Sequence, residues 1–277
     1  SDRPKHGPHR IHAALQTAST TVCLSLELVK GTRDRRHEEM VASSLILNLV
    51  AEACGLNQRL LLKLLAGEEV VAARTKAPSA WQDLLAGRAM IVARRAGDPP
   101  SVAQAGGRRM VFPGAFDPRH DGHKGMAHFA AERSGLPVEY EISVLNVDKP
   151  PLDFIEMQLR TEQFAPNEAL WFTRAATFVE KSALFPGATF VVGADTIARI
   201  SEAKYYGDDP HARERAIDTI AAAGCRFLVF GRLRGGNFES LGDFALPPAL
   251  LEVCDAVPAG AFRVDVSSTQ LRQAECI

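Results

Sequence analysis

Gly114-Ala115-Phe116-Asp117-Pro118-Arg119-His120-Asp121-Gly122-His123 follows directly on the apolar run 109–113, and its reading decides the fold. A glycine closes a buried strand, a proline fixes a turn, and two histidines three residues apart flank a second glycine where a helix begins. The first-turn amides of a helix have no intrahelical partner and the helix dipole adds partial positive charge there, so such a junction suits an anion. Gly122 allows close backbone approach. His120 and His123 bring two imidazoles to one spot, where each can donate a hydrogen bond to a phosphate oxygen. The stretch therefore predicts a polyphosphate site.

Working outward, strands and helices alternate from here to the C-terminus. The strand candidates are 109–113, 138–146, 170–173, 189–192, 226–230 and 262–266. The helix candidates are 123–134, 177–184, 211–223 and 269–275. Alternation over about 165 residues implies a parallel sheet covered on both faces, with ligands beyond the carboxyl ends of its strands where the strand order reverses. The expected fold is α/β, a Rossmann-like doubly wound parallel sheet, preceded by a smaller N-terminal α/β segment. In that segment, residues 21–29 alternate with period two as a half-buried strand, and a shorter strand spans 11–16. Asp34 caps a helix running to about Cys54, with Met40, Leu45, Leu47, Leu49 and Val50 as its apolar positions and Gly55 as its stop. Residues 67–108 read as looser, with a short helix at 78–85 and a short strand at 89–93. Gly97-Asp98-Pro99-Pro100-Ser101 and Gly106-Gly107 mark a linker. The expected division is 1–105 and 106–277.

Composition narrows the function classes. The chain has 277 residues, 46% hydrophobic and 23% charged, which suits one large or two modest globular domains. No apolar run nears the roughly 18 residues of a membrane span, and the N-terminus lacks a signal peptide's apolar core, which predicts a cytoplasmic protein. Five cysteines (Cys23, Cys54, Cys225, Cys254, Cys276) form no C-x-x-C pair, so buried free thiols are expected in place of a disulfide framework or a zinc site. Residues 1–110 carry 16 Lys and Arg against 10 Asp and Glu, a balance of +6; residues 111–277 carry 16 against 23, a balance of −7. The basic residues are scattered without interleaved aromatics, which does not indicate nucleic-acid binding.

The stretch opening at Gly114 matches G-x-F-x-P-x-H-x-G-H at all six specified positions, and it resembles the signature of the nucleotidyltransferase superfamily. Val266-Ser267-Ser268-Thr269-Gln270-Leu271-Arg272 resembles that superfamily's I-S-S-T-x-[IL]-R motif, with Val for Ile; Ser267 and Gln270 also have capping-box spacing. Gly193-Ala194-Asp195-Thr196, after the strand at 189–192, looks like its G-x-D. The combination is most similar to nicotinamide or nicotinate mononucleotide adenylyltransferases and covers about 109–273.

The resemblance implies ATP and a small phosphorylated acceptor as substrates, with Mg²⁺ accompanying ATP. It makes His120, His123 and Arg272 the catalytic residues. Gly114, Phe116, Gly122, Gly193, Asp195, Ser267, Ser268, Thr269 and Arg232 would hold the nucleotide, and Lys149, Thr173 and Arg174 the acceptor. Trp171 reads as core, and Lys181 and Arg199 as surface charges. Alternatives are a cytidylyl- or pantetheine-phosphate adenylyltransferase, or a non-catalytic nucleotide-binding module. A metal held by the two histidines with Asp117 or Asp121 is a weaker option, because His-x-x-His across a turn is poor zinc geometry. No G-x-x-x-x-G-K-[ST] and no G-x-S-x-G occurs, so a P-loop and a hydrolase elbow are unsupported. Asp2-Arg3-Pro4-Lys5-His6-Gly7-Pro8-His9-Arg10, the two strands after it and the helix of 38–55 resemble the end of a CinA C-terminal domain of the nicotinamide-nucleotide deamidase type, without the part that would carry its catalytic residues; with the linker they make up 1–105. That suggests a chain beginning inside a longer natural protein, or one that lost its front. Homo-oligomerisation is left open.

Overall fold

Alternating apolar side chains build the central strand of a three-stranded antiparallel sheet in the computed structural model, which describes residues 7–94, 99–103, 105, 107–147, 150–234 and 237–263. The strands are β1 (His9–Gln16), β2 (Thr20–Leu28) and β3 (Val70–Lys76), in that order, with α1 (Arg35–Ala53) between the last two in sequence. Asp34 caps α1 by accepting the His37 amide at 2.8 Å. Leu26, Leu28 and Val41 form this unit's core, joined by Ile11, Leu64 and Val70. The buried stripe of α1 is Val41, Leu45 and Leu49, at helical spacing. The expected Met40, Leu47 and Val50 are about half exposed. The sequence reading missed β3 because Val70-Val71-Ala72-Ala73-Arg74-Thr75-Lys76 is exposed almost throughout and carries no period-two signal.

A buried carboxylate ties the loops of this unit. Glu68 accepts the amides of Val29 and Leu65, each at 2.8 Å, and pairs with Arg33. The Arg33 hydrogen bond, helped by the two amides, holds its pKa down at about 2 despite burial. A carboxylate depressed in the fold stabilises it fully above its unfolded value, near 4.5, and loses that contribution as pH falls toward 2. Glu68→Gln is therefore expected to cost about 1–3 kcal/mol in denaturant unfolding at pH 7. The gap to wild type narrows between pH 4.5 and pH 2.

The larger unit is laid out by the strand–helix alternation. After α2 (Ser79–Leu85) come β4 (Ile91–Arg94), β5 (Ser101–Val102), β6 (Arg109–Pro113), α3 (Asp121–Ser134), β7 (Val138–Ser143), α4 (Phe154–Thr161) and β8 (Leu170–Thr173). Then follow α5 (Phe178–Leu184), β9 (Ala188–Gly193), α6 (Ala194–Ser201), α7 (Pro210–Ala222), β10 (Arg226–Phe230), β11 (Arg232–Arg234), β12 (Asn237–Glu239), α8 (Pro248–Glu252) and β13 (Cys254–Val257). Among the described residues the large sheet has the order β13-β10-β9-β6-β7-β8-β4-β5. Its first six strands are parallel, whereas β4 pairs antiparallel with β8 and β5 antiparallel with β4. This is a Rossmann-like order, reversing between β6 and β9, where such sheets take their ligands. Val111, Phe190, Val192, Phe227 and Val229 pack with Ile197, Ile217 and Ile220 from the helices. No helix among the described residues is long and apolar enough to cross a membrane.

The two compact units are Ser1–Gln82 and Asp83–Ile277, whereas the glycines and prolines of the expected linker divide the chain at 105/106. The physical reason is that β4 pairs with β8, and β5 with β4, so a stretch read as loose and linking belongs to the large sheet. Among the described residues the outer strand is β13; of the strand expected at 262–266, Phe262 and Arg263 are not in a strand, and 264–266 lie outside the described residues. β13 is four residues long with a charged centre, too short to show a period. The helix expected at 269–275 also lies outside them.

Candidate active site

Local sterics shape the loop after β6. A Cβ on Gly114 would lie 2.7 Å from the Phe116 ring, so only glycine fits there. Phe116 has φ +47, the left-handed region, and is 1% exposed. Its ring meets Phe112, Tyr140, Phe164 and His123 edge to face, at centroid distances of 5.0–5.5 Å. This aromatic floor holds up the turn that delivers His120 to the start of α3.

His120 caps α3 and His123 lies in its first turn, with the two rings stacked at 3.8 Å and 27°. The backbone amide of His120 donates to Nδ1 of His123 at 3.2 Å. An amide can only donate, so this bond leaves the proton of neutral His123 on Nε2. Burial, with the neighbouring positive charges of His120 and Arg119, pushes the His123 pKa down to about 3. Burial lowers that of His120 too, with Asp121 opposing. His120 Nδ1 is buried without a hydrogen-bond partner among the described residues. The helix start thus presents neutral imidazoles, able to donate to a phosphate oxygen without giving up a proton.

A second layer holds the loop from behind. The Arg119 guanidinium binds both carboxylate oxygens of Glu168, the Tyr140 hydroxyl at 2.7 Å and the Gln163 carbonyl at 3.1 Å, and lies over the rings of Tyr140 and Phe164. Gln163 in turn accepts the Arg119 amide at 2.7 Å and donates to the Phe116 carbonyl at 2.9 Å. Arg94 of β4 donates to the carbonyls of Ala165 and Glu168 at 2.8 and 3.2 Å. Arg160 of α4 lies 3.6 Å from the Asp117 carboxylate. Sequence reasoning missed Tyr140, Gln163 and Glu168. They come from elements far along the chain and form no short-range spacing, while Arg119 occupies an unspecified position of the motif.

The neighbouring strand β9 ends in the same style. Gly193 caps α6, and a Cβ there would lie 2.7 Å from Oδ1 of Asp195. Arg232, just beyond β10, pairs with Asp195 at 3.0 Å, both partners partly open to solvent. Gly193, Asp195 and Arg232 are therefore gathered at the carboxyl end of β9 and β10, the same end of the sheet as the histidines after β6.

No family model matches the sequence. A probable nicotinate-nucleotide adenylyltransferase of Roseobacter denitrificans is 33% identical over 170 residues, which cover 52% of this chain and 84% of that protein. This chain belongs to the nicotinate-nucleotide adenylyltransferase family.

Two other residues expected in the site of this family member are engaged elsewhere in the fold. Thr173 is fully buried and its hydroxyl donates to Glu141, so it is closed to an acceptor. Arg174 donates to the carbonyls of Leu84 and Leu85 at 2.9 and 3.1 Å, at the end of α2. Lys181, read as a surface charge, is buried: its ammonium binds both oxygens of fully buried Glu141 at 2.7 Å and the Ala175 carbonyl at 2.9 Å. Trp171 is core, as expected. Lys149, Ser267, Ser268, Thr269 and Arg272 lie outside the described residues. Of the cysteines, Cys225 is buried and Cys254 half-buried, but Cys23 and Cys54 are exposed, against the expectation of burial; Cys276 lies outside the described residues. Among the described residues no group of three His, Cys, Asp or Glu side chains could hold a metal ion, so His120, His123 and the nearby aspartates do not converge on one.

Proposed function

We propose that the protein transfers the adenylyl group of ATP to the phosphate of nicotinate or nicotinamide mononucleotide and releases pyrophosphate. The observation that carries this reading is the stacked, neutral His120–His123 pair at the start of α3, where the strand order reverses. An ionised acceptor phosphate oxygen attacks the α-phosphorus in line, the bond to the β-phosphate oxygen breaks, and pyrophosphate leaves. The nucleophile carries its charge at neutral pH, so no general base is needed, and the protein supplies positioning and charge stabilisation. The Nε2 proton of His123 faces the α-phosphate, with His120 beside it and Gly114, Phe116 and Gly122 shaping the loop. Asp195, held by Arg232, takes ribose hydroxyls. Lys149 neutralises a phosphate, and Ser267, Ser268, Thr269 and Arg272 grip the β- and γ-phosphates. Mg²⁺ accompanying ATP would neutralise charge on the leaving pyrophosphate. The N-terminal resemblance to a deamidase-type domain supports a pyridine-nucleotide substrate.

The test is pyrophosphate release from ATP with nicotinate mononucleotide, nicotinamide mononucleotide, phosphopantetheine or glycerol phosphate offered in parallel. Release with a pyridine mononucleotide is the expected result. ATP binding without release in any arm overturns it and leaves a nucleotide-binding module.

A further inference from the structure

The loop that presents His120 departs from ordinary backbone geometry at Phe116, which has a positive φ of +47. A half-buried carbonyl in such a corner needs a donor, and the loop itself provides none. The donor is the carboxamide nitrogen of Gln163, at 2.9 Å, while the carboxamide oxygen of the same side chain accepts the Arg119 amide at 2.7 Å. One side chain thus closes both ends of the four-residue turn directly before His120. A carboxamide is suited to this, because it carries a donor and an acceptor on one rigid plane. Gln163 is held in turn: its carbonyl accepts from the Arg119 guanidinium, and Arg94 fixes the carbonyls of Ala165 and Glu168 just beyond it.

We infer that Gln163 is a positioning residue for the phosphate-facing loop, setting the place of His120 and His123 by bridging Phe116 and Arg119 with its carboxamide. It touches no reacting atom; it acts through the loop. The inference rests on the adenylyl-transfer reading for its kinetic consequence, and on the loop alone for its structural one. Displacements of about an ångström in groups that stabilise a transition state cost up to about 10²-fold in rate. Gln163→Met fills the space without either hydrogen bond. Gln163→Glu keeps the acceptor and sets a carboxylate oxygen against the Phe116 carbonyl. Gln158→Met, on the exposed side of α4, is the control.

Both Gln163 variants are expected to lower kcat about tenfold or more while KM for ATP stays within about threefold, with the control unchanged. In ¹⁵N spectra of the histidine rings, the signals of His120 and His123 should shift in both Gln163 variants and stay in place in the control. A Gln163→Met enzyme with wild-type kcat and unmoved imidazole signals overturns the inference. So does a fall in thermal stability with no change in either readout, which would mark a merely structural role. A wild-type protein that releases no pyrophosphate refutes the adenylyl-transfer reading instead, and the imidazole spectra then decide the positioning role on their own.

Discussion

His123→Ala lowers turnover about 10²- to 10³-fold while ATP binding changes little. The basis is the hydrogen bond from the His120 amide to His123 Nδ1, which commits the ring to donating from Nε2. Such a donor, fixed before substrate arrives, needs no reorganisation when negative charge builds on the transferring phosphate, and loss of one comparable donor costs about this much. The ring has a second constraint: with its pKa pushed down to about 3 by burial, it stays neutral through the physiological range. Its resonances should therefore be those of the Nε2–H tautomer from pH 8 down to about pH 4. The rate should show no limb from this group near pH 6.5. Turnover within a few-fold of wild type in His123→Ala, measured by pyrophosphate release at saturating ATP, would remove the residue from the chemistry.

Lys181→Met is expected to cost about 3–5 kcal/mol of stability, the largest single loss foreseen in the described chain. Its ammonium is the cation at both oxygens of Glu141, whose side chain is 1% exposed. Removing one member of a buried pair leaves the other charge without solvent or counter-charge. Glu141 also accepts the Thr173 hydroxyl, and its backbone carbonyl takes the Gly114 amide at 2.9 Å, so the damage reaches the edge of the phosphate loop. The double variant Glu141→Gln, Lys181→Met removes both charges and should recover a substantial part of the loss. Urea midpoints of the three proteins check this, and equal costs for the single and double variants would contradict it.

How much of this was legible in the sequence depended on the distance over which each signal acts. Strands 109–113, 170–173 and 226–230 were placed to the residue, because an apolar run bounded by turn residues is a local property. The helix capped by Asp34 and the one capped by Thr177 were legible for the same reason. The histidine loop announced itself through glycine, proline and histidine at fixed spacing. By contrast, the burial of Lys181 depends on a carboxylate 40 positions earlier, and the pairing of Asp195 with Arg232 on two strands becoming neighbours. β3 and β13 escaped because exposed or very short strands lack a periodic contrast between faces. The division at 105/106 differs from the boundary between the compact units because glycine and proline mark turns inside a sheet as readily as joints between domains.

Two corners of the fold share one construction, in which the side chain two positions after a glycine swings back over it: Phe116 onto Gly114 and Asp195 onto Gly193. Each corner thus joins a short-range contact to a long-range one, with Gln163 bracing the Phe116 turn and Arg232 bracing Asp195. The two corners differ in how much they can give: a side chain in place of Gly114 would press on a ring walled in by other aromatics, whereas one in place of Gly193 would press on a carboxylate with open water to retreat into.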